Sequence, residues 1–178
     1  MLQSIIELDQ HITLALNGSH SLFLDGVMTS LSDTWTWTLV AAVLLFMIFK
    51  NGTWREVFLV LVTLAIAIFL ADHVSSGVFK PLFHRFRPAQ DPLIMYNVDI
   101  VNGYRGGLYG FISSHAANTF AICVFISLLI RDRMFTVSIY IWALLVSYSR
   151  IYLGVHYVGD IFFGPPWGSF CGCFMFFV

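Results

Sequence analysis

The chain has 178 residues, 58% hydrophobic, 17% aromatic and only 11% charged, with a mean hydropathy of +0.82, where a soluble domain of this size carries about 25% charged residues. So much apolar surface exceeds what one small water-soluble core can hide, and composition excludes a soluble globular protein in favour of an integral membrane protein. A net charge of −1 and a pI of about 6.6 leave no basic surface to neutralise a nucleic-acid backbone, which excludes nucleic acid as a partner.

From the N-terminus, Leu2, Ile5, Ile6, Leu8, Ile12, Leu14 and Leu16 alternate with Glu7, Asp9, Gln10 and His11 in a helical stripe. Residues 1–33 therefore read as an amphipathic, interfacial segment lying along the membrane, with a break at Asn17-Gly18. The segment lacks the basic n-region and continuous apolar h-region of a signal peptide, and none is expected. Spanning a bilayer takes about 20 apolar helical residues. The first candidate span runs from Trp35 to Phe49, recruiting part of Leu22–Leu31 to reach full length. Val57–Phe79, Ala116–Ile130 and Met134–Tyr152 follow, and Val158–Val178 makes a fifth. Gly164-Pro165-Pro166 near the middle of that last stretch predicts a kink or break, because two backbone donors are missing. The expected fold is all-α, a polytopic transmembrane bundle of about five to six spans, with residues 34–178 forming the membrane domain and 80–112 a long loop. Cys123, Cys171 and Cys173 lie in apolar stretches, where a free thiol behaves as a small hydrophobe, and no disulfide framework is expected.

Positive charge sets orientation. Lys50 and Arg55 flank one short loop, Arg131 and Arg133 another; alternating helices put both on one side, which predicts that side to be cytoplasmic. The loop Lys80–Ile112 and the turn Leu153–Tyr157 then face away from the cytoplasm, in a multi-pass membrane protein.

The remaining cations, Lys80, Arg85, Arg87, Arg105 and Arg150, all fall on that second side, alongside His84, His115, His156 and Asp160. Ionisable groups beside hydrocarbon are costly and are expected to face one another or a working cavity. The combination predicts a cationic pocket at the membrane surface, suited to a phosphate on a lipid head group because guanidinium forks match phosphate oxygens. Three patterns sharpen it. Lys80 and Arg87 leave the second span just before Pro88; cations there also snorkel without any function. Ser113-Ser114-His115 opens the third span, where hydroxyls and free N–H groups cradle an anion or merely cap a helix. His156 lies one turn before Asp160, so that a carboxylate accepting the Nδ1 proton leaves Nε2 as a nucleophile or base, although such pairs are more often structural.

Together, Lys80-x6-Arg87-Pro88, Ser113-x-His115 and Ser149-Arg150-x5-His156-x3-Asp160 resemble the three-part signature of the type 2 phosphatidic acid phosphatase superfamily, over residues 72 to 165. The resemblance implies that His156 attacks phosphorus and forms a phosphohistidine, that Asp160 holds its ring, and that His115 protonates the leaving oxygen. It implies that Lys80, Arg87, Ser113, the Ser114 backbone N–H and Arg150 bind the phosphate oxygens, with no metal and no cofactor. It further implies a bacterial inner membrane, with the side of the long loop toward the periplasm or the outside. Fixed cations and N–H donors suffice to stabilise a phosphoryl group in flight. The second part reads Ile112-Ser113-Ser114-His115 where the family usually has Pro-Ser-Gly-His, which predicts a differently shaped turn.

The leading function is removal of phosphate from a membrane lipid: undecaprenyl diphosphate, phosphatidylglycerol phosphate or phosphatidic acid, or a phosphate of lipid A. The expected partners are that phospholipid or isoprenoid substrate and the bilayer, with no protein partner. A metal-dependent hydrolase using His115, His156 and Asp160 as ligands, and a non-catalytic anion channel or lipid transporter, are the competing classes. Soluble haloperoxidase relatives are set aside by hydropathy. Asp72 and His73 are candidates for orienting Lys80; His84 and Arg85 read better as solvated loop residues; Arg105 is a candidate for a second phosphate or polar head. The Gly- and Tyr-rich stretch Asn97–Phe111 suits a cover over a lipid-facing site, and Trp35, Trp37 and Trp54 suit interfacial anchors.

Overall fold

The computed structural model describes residues 2–18 and 21–178; Met1, Ser19 and His20, within the N-terminal segment, lie outside the described residues. The described residues form helices α1 (Leu2–Leu16), α2 (Leu22–Ser32), α3 (Thr34–Asn51), α4 (Trp54–Val74), the short α5 (Lys80–Phe83), α6 (Ser114–Ile130), α7 (Arg133–Tyr152) and α8 (Val158–Phe177). No strand occurs among them beyond one isolated bridge between Phe86 and Tyr109. The chain is an all-α membrane bundle, as its composition requires.

The basic turns are built by local capping. Thr53 accepts the Glu56 N–H while Glu56 reaches back to the Thr53 N–H at 2.8 Å, a capping box that starts α4. Arg131 ends α6 in the left-handed region (φ 56°), and Asp132 Oδ1 accepts the Phe135 N–H at 2.7 Å to start α7. Both turns lie at the end of the bundle opposite the C-terminal ends of α4 and α7.

By length and hydropathy, Trp54–Phe83 and Arg133–Tyr152 can each cross a membrane, and the pair Leu22–Ser32 with Trp35–Lys50, bent by 54° at Asp33, adds a third if it is one span. Ser114–Ile130 is apolar but shorter; at 17 residues and 1.5 Å per residue it covers about 26 Å. Outward-facing Phe58, Phe69, Leu144, Phe162 and Phe170 are exposed, as lipid-facing side chains must be. Inside, Ala67, Cys123, Ile126 and Ala143 are buried around the axis where α4, α6 and α7 meet.

Of the kink or break expected at Pro165-Pro166, the break does not occur: α8 is one helix from Val158 to Phe177. The physical reason lies in the helix it packs against. Gly164, Gly168 and Gly172 recur every four residues along the α6-facing stripe, and a Cβ on Gly168 would sit 1.9 Å from the Ala117 carbonyl oxygen. Backbone contact of this closeness holds α8 helical through the two residues that cannot donate.

The N-terminal segment also differs in detail from a helix simply floating at the interface. Along α1, Ile5, Ile6, Leu8 and Ile12 point outward, while Asp9 and Thr13 point inward and bond the backbone of Gly159 and Val158. Ile5, Ile6, Leu8 and Ile12 thus face away from the protein while Asp9 and Thr13 face it, and Leu14 packs inward beside them.

Candidate active site

Four helix ends meet at one end of the bundle: the C-terminal ends of α4–α5 and α7, and the N-terminal ends of α6 and α8. Each contributes a cation, an imidazole or a free N–H. After Val74 the chain winds one wider π turn, Ser75–Phe79, before α5, a departure from α geometry that commonly marks functional positions. It aims Ser75, Ser76 and Lys80 at Ser114: Lys80 Nζ donates to Ser114 Oγ at 2.8 Å and to Ser76 Oγ at 3.1 Å, and Ser75 Oγ lies 3.0 Å from Ser114 Oγ.

Ser113 caps α6 through its own hydroxyl, which accepts the Ala116 N–H at 3.5 Å. The N–H groups of Ser114 and His115 at the next positions have no intrahelical acceptor by construction and are the donors an anion can use. The Ser114 hydroxyl is therefore occupied by Lys80, and the Ser113 hydroxyl by its helix. The turn at Ile112–His115 opens α6 with Ser113 as its N-cap, and the Ser114 side chain places a hydroxyl on the lysine.

At the far end of α7, the carbonyl of Arg150 accepts the N–H groups of Val155 and His156 at 3.1 and 3.2 Å. This folds the turn back so that His156 returns to Arg150; Gly154 permits it at φ +71°, where a Cβ would strike Val98 at 2.6 Å. Arg150 NH1 donates to Ser32 Oγ at 2.8 Å, and its guanidinium carbon stands 5.7 Å from the Tyr104 ring centre. Arg150 and His115 line a cavity of about 350 Å³, together with the polar Thr29, Ser32, Asp33, Asn102 and Tyr104 and the apolar Val101 and Leu153.

His156 is buried at 1% exposure and Asp160 at 0%. His156 Nδ1 lies 3.2 Å from Asp160 Oδ2, which also accepts the Tyr157 N–H at 3.1 Å. A carboxylate there selects the Nδ1–H tautomer, leaving the Nε2 lone pair to accept from Arg87 NH1 at 3.2 Å. Arg87 is further fixed by the carbonyls of Tyr109 and Val155 at 3.2 and 3.1 Å. Burial first, and then the charges of Arg87, Arg150, Lys80 and His115, hold the His156 imidazole well below its usual pKa. Gly110 brings the glycine-rich loop down onto this pair, since a Cβ there would lie 2.8 Å from Asp160 Oδ2.

Lys80, Arg87, His115, Arg150 and His156 thus converge at one end of the bundle, with Asp160 behind His156 and the start of α6 beside them. Among the described residues no cluster of three or more His, Cys, Asp or Glu side chains has metal-ligating geometry. Arg105 donates to the Ala89 carbonyl at 2.9 Å, which ties down the loop. Asp72 accepts from Asn118 at 3.2 Å, and His73 stacks on Phe69. Sequence reasoning underrated Arg85, which pairs with Asp160 Oδ1 at 3.0 Å, and missed Asp9 and Ser32. The one available signal was that Asp9 and Thr13, four residues apart, share a helix face.

With the geometry in place, comparison with known proteins is informative. The family model described as the PAP2 superfamily matches residues 56–178. A lipid A 4'-phosphatase of Porphyromonas gingivalis is 37% identical over 98% of this chain and 74% of its own length. A lipid A 4'-phosphatase of Bacteroides thetaiotaomicron is 36% identical over 100% of this chain and 80% of its own. Among solved structures, Aquifex aeolicus LpxE superposes with a TM-score of 0.74 at 22% identity, covering 94% of both chains. A PAP2-type phosphatidylglycerolphosphate phosphatase of Bacillus subtilis superposes at 0.66 and 23% identity, over 97% of this chain and 84% of that one. The two superpositions establish a shared fold.

Proposed function

This chain belongs to the PAP2 superfamily and is a lipid phosphate phosphatase of the membrane, and from that premise we propose that it removes a phosphate from a lipid A-type glycolipid at the non-cytoplasmic face through a phosphohistidine on His156. The observation that carries the reading is the His156 imidazole held between Asp160 on Nδ1 and Arg87 on Nε2, with Lys80 on the start of α6 and Arg150 at the same end of the bundle. The relatives named for lipid A, matched over nearly the whole of this chain, favour that substrate over the other lipid phosphates, and the cavity beside Arg150, with Ser32, Thr29 and Asn102 in its wall, suits a hydroxyl-bearing head group.

In this reading the phosphate displaces Arg87 from Nε2 and takes its fork, while Lys80, Arg150 and the N–H groups opening α6 neutralise the oxygens that carry charge in the transition state. Nε2 then attacks phosphorus in line as the P–O bond to the lipid breaks. Asp160 stabilises the imidazolium that forms, and His115 delivers a proton to the leaving oxygen. Water subsequently cleaves the P–N bond and restores the imidazole. Lys50, Arg55, Arg131 and Arg133 at the opposite end of the bundle support placing that end in the cytoplasm and the site in the periplasm.

The deciding experiment is phosphate release from purified lipid A, phosphatidic acid, phosphatidylglycerol phosphate and undecaprenyl diphosphate in detergent with excess chelator. We expect fastest release from lipid A and none from His156→Ala. Equal release by His156→Ala would defeat the nucleophile assignment, and loss of activity in chelator would favour the metal-dependent class.

A further inference from the structure

The line of contacts behind His156 does not stop at Asp160. Oδ2 of Asp160 serves His156, and Oδ1 accepts from Arg85 NH1 at 3.0 Å. The second terminal nitrogen of Arg85, NH2, donates to Asp9 Oδ2 on α1, at a side-chain exposure of 27% for Arg85 and 16% for Asp9. The other oxygen of Asp9 accepts the Gly159 N–H at 2.9 Å, and Thr13 on the same face accepts the Val158 N–H at 3.1 Å. Arg85 also lies 4.2 Å from the centre of the Tyr157 ring, whose hydroxyl donates to Asp91 at 2.6 Å. One guanidinium therefore bridges a carboxylate of the N-terminal helix and the carboxylate that holds His156.

We propose that Asp9 is a positioning residue for His156: by holding half of the Arg85 fork it keeps Arg85 monodentate on Asp160, so that Asp160 Oδ2 stays on the imidazole. The inference rests on the reading of His156 as the nucleophile. An arginine facing a lone carboxylate takes both oxygens. Were Asp9 neutral, Arg85 would be free to close on Asp160 in that manner and to draw Oδ2 away from Nδ1. Its charge would also be less compensated toward His156, which already faces Arg87 from the loop, Lys80 from α5, His115 from α6 and Arg150 from α7. The geometry needs a two-pronged cation, so lysine at position 85 can satisfy only one carboxylate at a time.

The simpler role for Asp9 is capping of α8, and asparagine separates the two because its side-chain oxygen still accepts the Gly159 N–H. In the full chain, Asp9→Asn is expected to lower kcat about tenfold with KM within about twofold, and to move the acid limb of kcat/KM to lower pH. Asp9→Glu is expected to recover most of the rate, and Arg85→Lys to resemble Asp9→Asn. A purely capping role would change thermal stability alone, so unchanged kcat and an unchanged acid limb in Asp9→Asn overturn the proposal. Histidine-side-chain 15N spectra provide a readout that does not depend on turnover. The Nδ1 signal of His156, identified by its loss in His156→Ala, is expected to shift in Asp9→Asn and return in Asp9→Glu; an unmoved signal overturns the proposal even if no tested lipid phosphate proves to be a substrate. Failure of the unmodified chain to release phosphate, with the 15N shift present, would count against the phosphatase reading alone.

Discussion

Arg87 NH1 points at Nε2 of His156 from 3.2 Å, so the lone pair that would attack phosphorus is already hydrogen-bonded to a cation that matches a phosphate oxygen. The contact explains how a buried imidazole stays aimed in the free protein, and why arginine serves better than lysine there: Nε and NH1 stay on the Tyr109 and Val155 carbonyls while NH2 and the second NH1 proton are left for a phosphate oxygen.

Arg87→Ala is accordingly expected to lower kcat/KM by at least about a hundredfold, the typical effect of removing one transition-state donor. Arg87→Lys should recover only part of it, because one ammonium cannot hold the backbone carbonyls and the phosphate together. Steady-state phosphate release for the two variants measures this; equal activity of lysine and arginine would show that charge alone suffices.

Ser114→Gly installs the residue the family usually carries. The hydroxyl lost is the one holding Lys80 Nζ at 2.8 Å, while Ser76 at 3.1 Å remains. Activity is expected to change by less than about fivefold, with a cost of up to about 1 kcal/mol in stability from a glycine in the first turn of α6. Lys80→Ala, which removes the charge itself, should lose more than about tenfold in kcat/KM. A larger loss in Ser114→Gly than in Lys80→Ala would mean that the hydroxyl contacts substrate directly.

How far these roles could be read from the sequence varies with the range of the interaction. Helix positions came within a few residues, because hydropathy and period are local: α6 ends at Ile130 and α7 at Tyr152, where the apolar runs end. Of the about five to six spans expected, two described helices, or three with the bent pair, are long and apolar enough to cross a membrane. The pairing of His156 with Asp160 was legible from its spacing along one helical turn. The partnership of Asp9 with Arg85 joins residues 76 apart in sequence, and that of Ser32 with Arg150 joins residues 118 apart; no pattern within either segment points to the other. The unbroken α8 was misread for a related reason. Pro165 and Pro166 act on their own helix, whereas the glycines that hold it act on the backbone of α6.

Gly168→Ala tests that last relationship. Its Cβ would meet the Ala117 carbonyl oxygen at 1.9 Å, and since the obstacle is backbone, α6 and α8 must move apart. A loss of about 1–3 kcal/mol is expected from such overpacking, read as a lowered thermal midpoint in detergent. Because Ala117 lies two residues after His115, activity should fall with stability. An unchanged midpoint would mean that the helices are not in backbone contact.

The pH dependence follows from His156. Burial, and after it the charges of Arg87, Arg150, Lys80 and His115, lower its pKa well below 6.5. A base with a lowered pKa stays unprotonated to more acidic pH, so the acid limb of kcat/KM should fall below 6.5 rather than at it. Stability carries the same sign: the unfolded chain takes up this proton near 6.5 and the folded one does not, so the contribution of this group is complete above that pH and is lost as pH falls. His115 is held down as well, to about 3, by burial and then by the charges of Arg150, Arg87 and Lys80, so its proton for the leaving oxygen depends on the bound phosphate offsetting those cations. The alkaline limb, and with it a bell, is therefore expected in kcat and not in kcat/KM. A monotonic rise of kcat from about pH 4 to about pH 9 would contradict this division of labour between His115 and His156. In Arg87→Ala, where one of the four acting charges is gone, the residual activity should show its acid limb displaced upward toward 6.5; a limb that stays in place would mean that burial alone sets the basicity of His156.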